Sequence, residues 1–387
     1  MQTKISIGAC LLAASLLAHA QSGTRYQATW LEYSKGWSSV VADFDRDGHD
    51  EVYNTGHDRD DRIWYWTPTG YIPGPHIMPY VDRHACVAAD VNQDGLLDLY
   101  CAIGADKGTG DKLNELWFQG EDGVFTLQAN TGVEDPYGRG RHATFLDFNH
   151  DGWPDLYLTN EATDRSDGHP NINHLFINQK DGSFVEQTTN ATGSRGFQCA
   201  RAGDLNNDGR DDLLVCGIKE GSHVYVNNRA GNFIESSTPA TVVPWNDARL
   251  VDMNGDGHDD LVLVNNKNVL QVWLNVGANP FFVTAPSFAY QMPANAVSVT
   301  VGDFDGNGKK DIYVVLADTN CQTTLVDAAP DYVFWGQADG SYVAQAQTAQ
   351  KGYIGCGHLA DTVDGDKVLL EQGGEGYKGG TYVLRWK

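Results

Sequence analysis

Positive charge is scarce in this sequence: 27 lysines and arginines face 51 aspartates and glutamates over 387 residues, a formal net charge of -24. That balance argues against nucleic acid or an anionic membrane surface as a partner. Proline is scarce too, with 13 residues against 43 glycines. Together with 41% hydrophobic residues, this describes a turn-rich globular chain rather than a disordered one. Beyond the first twenty residues no apolar run reaches the ~18 residues of a membrane span. The sequence also lacks a Gly-x-Ser-x-Gly elbow, a His-Glu-x-x-His helix and a phosphate-cradling loop ending in Gly-Lys-Ser/Thr, which removes the hydrolase, zinc-protease and nucleotide-binding readings that rest on them.

The N-terminus carries Lys4, an apolar run ISIGACLLAASLLA and the small-x-small triplet Ala18-His19-Ala20, the pattern of a cleaved signal peptide. Residues 1–20, with Cys10, are expected to be removed, leaving one mature domain over 21–387 in the secreted or periplasmic space. The six remaining cysteines, Cys86, Cys101, Cys199, Cys216, Cys321 and Cys356, form an even set in a compartment that permits disulfides.

One acidic template recurs six times: DFDRDGHDE, DVNQDGLLD, DFNHDGWPD, DLNNDGRDD, DMNGDGHDD and DFDGNGKKD. Positions 1, 3, 5 and 9 are Asp43, Asp45, Asp47 and Glu51; Asp90, Asn92, Asp94 and Asp98; Asp147, Asn149, Asp151 and Asp155. The last three copies supply Asp204, Asn206, Asp208 and Asp212; Asp252, Asn254, Asp256 and Asp260; Asp303, Asp305, Asn307 and Asp311. Position 6 is always glycine. Oxygen donors at alternate positions of a tight turn, with a closing carboxylate, suit a hard cation that takes six to eight oxygens, and calcium is the expected ion, about six per chain in a structural role. An EF-hand is excluded, because position 12 holds Asn54, Cys101, Leu158, Val215, Leu263 and Val314 in place of a bidentate Glu. The segment DTVDGDK from Asp361 reads as a seventh, degenerate copy.

Alternating β-rich segments such as DLYLTN and DLLVCG leave each loop, so the loop joins two strands. Third strands such as HLFIN and QVWLN, a turn such as KDGS and a fourth strand such as FVEQT complete each unit. Four-stranded units of about 52 residues, seven to the mature chain, imply an all-β fold: a seven-bladed β-propeller with calcium loops between strands one and two of its blades. The last unit lacks a fourth strand, and RYQATWLEY near the N-terminus can supply it, closing the ring and removing an open edge. Residues opposite one another in an antiparallel hairpin have a constant sum of positions. Counted from their loop starts, Cys86 and Cys101 give the same sum as Cys199 and Cys216, so both pairs fall across the two strands flanking a loop. Cys321 and Cys356 then pair by elimination. Each closure contributes about 3 kcal/mol in the chain-entropy view.

At its six loops, and in stretches such as FLDFNHDGWPDLYLTN followed by NHLFINQKDGSFVEQTT, the chain resembles the FG-GAP/VCBS-type repeats, known from the seven-bladed head of integrin α chains. The resemblance covers nearly all of the mature chain and implies calcium at the loop residues named above, on one face of the disc. Clear Phe-Gly and Gly-Ala-Pro signatures are lacking.

Ligand chemistry is expected on the opposite face. There the starts of the innermost strands gather Arg83, Arg139, Arg141, Arg195, Arg201 and Arg249 with only Asp82 and Asp247, a reversal of sign against the acidic background. Forked guanidinium groups suit a carboxylate or sulfate, and Trp37, Tyr137, Phe197 and Trp245 could stack on a sugar ring. The competing reading is that these arginines pair with neighbouring acids and hold blades together. His84 or His142 with Tyr137 could abstract a proton beside an arginine-bound uronate. The sequence therefore points to a monomeric binding module for a glycan or an extracellular protein, with a polysaccharide lyase acting on an acidic, uronate-containing polymer as the alternative.

Overall fold

A computed structural model describes residues 26–32, 39–55, 61–79, 81–104, 113–161, 172–192, 197–217, 221–236, 243–277, 281–282, 285–317, 330–347, 357–372 and 380–386. The signal segment, Trp37, Arg195, Cys321 and Cys356 lie outside the described residues.

Seven antiparallel four-stranded sheets form, each in simple up-and-down order. The first strands are Ser39–Ala42, Arg83–Ala89, Gly140–Leu146, Phe197–Gly203, Trp245–Val251, Asn295–Gly302 and Gly357–Val363. Each packs against the first strand of both neighbouring blades, so these seven strands form the inner ring of a propeller. In the first six blades the second strand begins at position 9 of the acidic loop: Glu51, Asp98, Asp155, Asp212, Asp260 and Asp311. Among the described residues no helix is long and apolar enough to cross a membrane.

The strands alternate because only one set of side chains enters each blade interface. Seven apolar clusters result, one between each pair of adjacent blades, as with Trp245, Leu261 and Trp273 against Cys199, Leu214 and Val224 between blades four and five. Trp245 is fully buried there. Among the described residues, the cluster between blades seven and one includes Leu31, Val52, Trp64, Val363 and Val383.

Blade seven closes as the sequence implies: Tyr26–Glu32 pairs antiparallel with Gly380–Trp386, Tyr26 opposite Trp386. Its loop differs from the expected one. Asp361 lies inside the first strand, and the connection is a short turn, Asp364-Gly365-Asp366, between Val363 and Lys367. Asp364 takes the place of position 1: its N–H donates to Asp50 Oδ2 at 2.6 Å and its Oδ1 accepts the Asp50 N–H at 2.7 Å. Between blades three and four the Asp147 N–H donates to Asp211 Oδ2 at 2.7 Å in the same way. The expected alignment was displaced because three acids in DTVDGDK fit the template at more than one offset.

The register arithmetic holds. Cys86 stands opposite Cys101 and Cys199 opposite Cys216, and both pairs are disulfide-bonded. A feature absent from that arithmetic is a bulge six residues before position 1 in blades two to seven, at His84, Arg141, Gln198, Asn246, Val297 and His358. At each, two residues of the first strand oppose one on the second, and the strand bends.

Candidate functional site

The six acidic loops share one hydrogen-bonded frame. The position 1 carboxylate accepts the N–H of position 5 and of the position 6 glycine, as Asp204 does from Asp208 at 3.0 Å and Gly209 at 2.7 Å. In loops one, two, four, five and six position 3 also accepts from position 5, as Asn206 does from Asp208 at 3.0 Å, and in all six position 5 accepts from position 7. The position 6 glycine has a positive φ in every loop, from 78 to 89 across Gly48, Gly95, Gly152, Gly209, Gly257 and Gly308, which is where a Cβ would strain the turn.

Position 9 does two jobs. One oxygen accepts the N–H of position 2 and the other accepts the N–H at the end of the third strand, as Asp212 does from Leu205 at 3.0 Å and Asn227 at 2.8 Å. All six of these carboxylates are fully buried. Burial pushes Glu51, Asp98, Asp155 and Asp212 up to about 7, and Asp260 and Asp311 up to about 6, against the lowering effect of their backbone donors. In loops one and six, ligand oxygens of Asp43, Asp45 and Glu51, and of Asp303, Asp305 and Asp311, lie within 4.8 Å of one another. That is the span of two oxygens each about 2.4 Å from a common ion. The donor sets, all oxygen and mostly carboxylate, fit a hard divalent cation.

At the opposite ends of the first strands, the five described arginines of the expected group, Arg83, Arg139, Arg141, Arg201 and Arg249, are each engaged. Arg83 is fully buried between blades one and two, donating to Asp61 Oδ2 at 2.7 Å, Glu115 Oε2 at 2.7 Å and the Pro79 carbonyl at 2.9 Å. It is part of the wall, as Trp245 is, and neither presents surface to a ligand. Arg139 and Arg141 are partly exposed and converge on a single oxygen, Glu161 Oε2, Arg139 at 2.8 Å. Arg201 and Arg249 converge likewise on Asp247 Oδ1, at 3.0 and 2.8 Å. Burial alone would raise Asp247, but the two guanidinium groups and donors from Ser298 and Val299 hold it below the usual range. Four guanidinium groups on two carboxylates leave a local excess of positive charge. Tyr137 is 44% exposed beside this group in sequence.

Both histidines are committed. Arg141 abuts His84 Nδ1, and His84 Nε2 lies 3.2 Å from Asp82 Oδ1. The His84 ring occupies space above Gly104, where a Cβ would stand 1.9 Å away. Burial and the nearby Arg201 charge hold His142 well below its ordinary value. Its Nε2 accepts from Arg201 Nη1 at 2.8 Å, so the neutral ring carries its proton on Nδ1, which is buried without a partner among the described residues.

Sequence reasoning missed Glu161, Asp61 and Glu115, because each lies on another strand or blade from the arginine it serves. It also missed position 4 of the first four loops and the position 8 aspartates Asp50 and Asp211, which contact neighbouring blades. The unused signal was at position 4, where Arg46, Gln93, His150 and Asn207 recur between the ligand positions.

Among known families, the chain matches the FG-GAP-like repeat over residues 43–101, 90–158, 162–215 and 252–314. Among solved structures it is similar to an Agrocybe aegerita lectin that specifically recognises non-reducing terminal N-acetylglucosamine, at 15% identity over 84% of this chain and 80% of that one, with a TM-score of 0.53. It is also similar to BBS1N in complex with ARL6DN in a lead-soaked crystal, at 11% identity over 92% of this chain and 94% of that one, TM-score 0.56. A mercury-soaked crystal of that complex gives 12% identity, 93% and 98% coverage and a TM-score of 0.53. At such identities the likeness is one of fold alone. No curated protein matches.

Proposed function

The chain belongs to the FG-GAP-like repeat family, and from that premise we propose that it is an exported, calcium-stabilised binding module for an acidic glycan. The observation that carries this reading is the paired convergence of Arg139 and Arg141 on Glu161 and of Arg201 and Arg249 on Asp247. In a chain with a formal charge of -24, an excess of forked donors at one end of the inner ring favours a carboxylate or sulfate, which guanidinium groups bind bidentately. The partial exposure of Arg139, Arg141 and Glu161 lets a ligand anion share the two arginines with Glu161 Oε2. Calcium at the loops would order the opposite face and stabilise the ring by binding only the folded state. The lyase alternative gains no support from the histidines, since the lone pairs of His84 and His142 are already used.

The test is retention on immobilised mature protein, in millimolar calcium, of a polyuronate, a sulfated polysaccharide and a neutral polymer. Retention of at least one acidic polymer, weakened by salt and reduced about tenfold by Arg141→Ala, is the expected result. Equal retention of the neutral polymer, or an Arg141→Ala variant that binds as the parent does, would remove the reading.

A further inference from the structure

The residue at position 4 of each acidic loop adopts a left-handed backbone: φ is 63 at Arg46, 57 at Gln93, 58 at His150 and 54 at Asn207, and 80 and 71 at Gly255 and Gly306. This conformation turns the side chain away from its own loop and toward the next. Arg46 Nη1 donates to the Gly95 carbonyl at 3.4 Å, Gln93 Nε2 to the Gly152 carbonyl at 2.6 Å, and Asn207 Nδ2 to the Gly257 carbonyl at 3.0 Å. The His150 ring packs on Gly209, where a Cβ would stand 3.2 Å from Cε1. In all four cases the target is the position 6 glycine of the following loop. That glycine's N–H is in turn donated to the position 1 carboxylate of its own loop, as from Gly95 to Asp90 at 2.9 Å and from Gly152 to Asp147 at 2.9 Å.

Position 4 therefore lies between the ligand positions 3 and 5 of one loop and grips the turn that holds ligand position 1 of the next. We propose that loops one to five take up calcium as a coupled series, with the position 4 side chains as the positioning residues, while loop six fills independently. The series stops there because Gly255, at position 4 of loop five, has no side chain to reach loop six, and Gly306 likewise cannot reach blade seven. This rests on the calcium reading above. Its physical content is that an ion ordering one loop fixes part of the next loop in advance, so the next ion meets a site already partly formed.

The experiment is calcium titration of the full mature chain by calorimetry, with bound calcium counted separately by equilibrium dialysis. A steep phase accounting for most of the ions, plus one non-cooperative site, is expected. Gln93→Gly and Asn207→Gly keep the left-handed backbone, at exposed positions, and remove only the side chain. They are expected to divide the steep phase and to weaken calcium binding downstream of the cut about two- to tenfold. Gly255→Asn, restoring at loop five what Asn207 does at loop four, is expected to draw the sixth site into the steep phase. About six ions bound with a simple hyperbolic isotherm, unchanged in Asn207→Gly, would leave the calcium reading standing and overturn the coupling. No bound calcium would overturn both.

Discussion

Asp331 occupies the place in blade six that Asn173 occupies in blade three. Asn173 accepts the Asn160 N–H at 3.0 Å and donates to the Tyr157 hydroxyl at 3.2 Å. Asp331 accepts both the Leu316 N–H and the Tyr313 hydroxyl, each at 2.8 Å. Burial pushes the Asp331 carboxyl up to about 6, whereas the unfolded chain titrates it near its ordinary value of about 4. Between those values the folded state holds a proton that the unfolded state has released. The contribution of this group to stability therefore falls as pH rises from about 4 to about 6, and stays lost above. Asp331→Asn, which copies blade three, is expected to match the parent near pH 4 and to exceed it by about 2 kcal/mol at pH 8. Urea midpoints at the two pH values check this; the same offset at both would show that titration is not the cause. The corresponding Asp61 of blade one has Arg83 at 2.7 Å to balance its charge. The sequence could not distinguish the two aspartates, since Arg83 reaches Asp61 from the next blade, 22 residues away in the chain.

The loop and its two flanking strands were the most legible elements. Six copies of one spacing reveal the ligand positions, and the cysteine offsets give the hairpin register, because both follow from local geometry with a fixed period. The bulges at His84, Arg141, Gln198, Asn246, Val297 and His358 left no such signal: an extra residue bends the strand without calling for one residue type. The arginine group was legible as a charge reversal and illegible as a set of pairs, since Glu161 follows a second strand while Arg139 and Arg141 precede and begin a first one. At this scale the position 9 carboxylate ties loop to third strand with both oxygens, so replacing one oxygen by an amide leaves a buried N–H facing another donor. Asp212→Asn is expected to cost about 1–3 kcal/mol in chaotrope unfolding even with calcium chelated. An unchanged midpoint in chelator would mean that Asp212 matters only through an ion.

For the whole molecule, apolar burial is divided among seven interfaces, and among the described residues the one between blades seven and one is built on Leu31, Val52, Trp64, Val363 and Val383. It is held additionally by the Asp50–Asp364 exchange and by the pairing of Tyr26–Glu32 with Gly380–Trp386. Removal of residues 26–32 would expose the Gly380–Trp386 edge and take Leu31 from that cluster, a change that open sheet edges convert into self-association. A lower melting temperature and concentration-dependent oligomers in sedimentation are expected; a monomer with the parent's melting temperature would show that the seam closes without this strand. Seven-fold closure was visible from the repeat period and the missing last strand, whereas the reduced turn of blade seven required knowing which aspartate the next blade grips.

The antiparallel seating of Tyr26 against Trp386 also decides how the protein bears mechanical load. Because Tyr26 and Trp386 stand opposite each other on adjacent strands, tension applied between these two positions peels the closing ladder one hydrogen bond at a time, the mode in which a sheet yields most easily. Tension between Trp386 and a point on a distant blade follows another path. It crosses blade interfaces in which whole strands would have to slide together, so the ring withstands a pull carried across its blades better than one carried between these two strands.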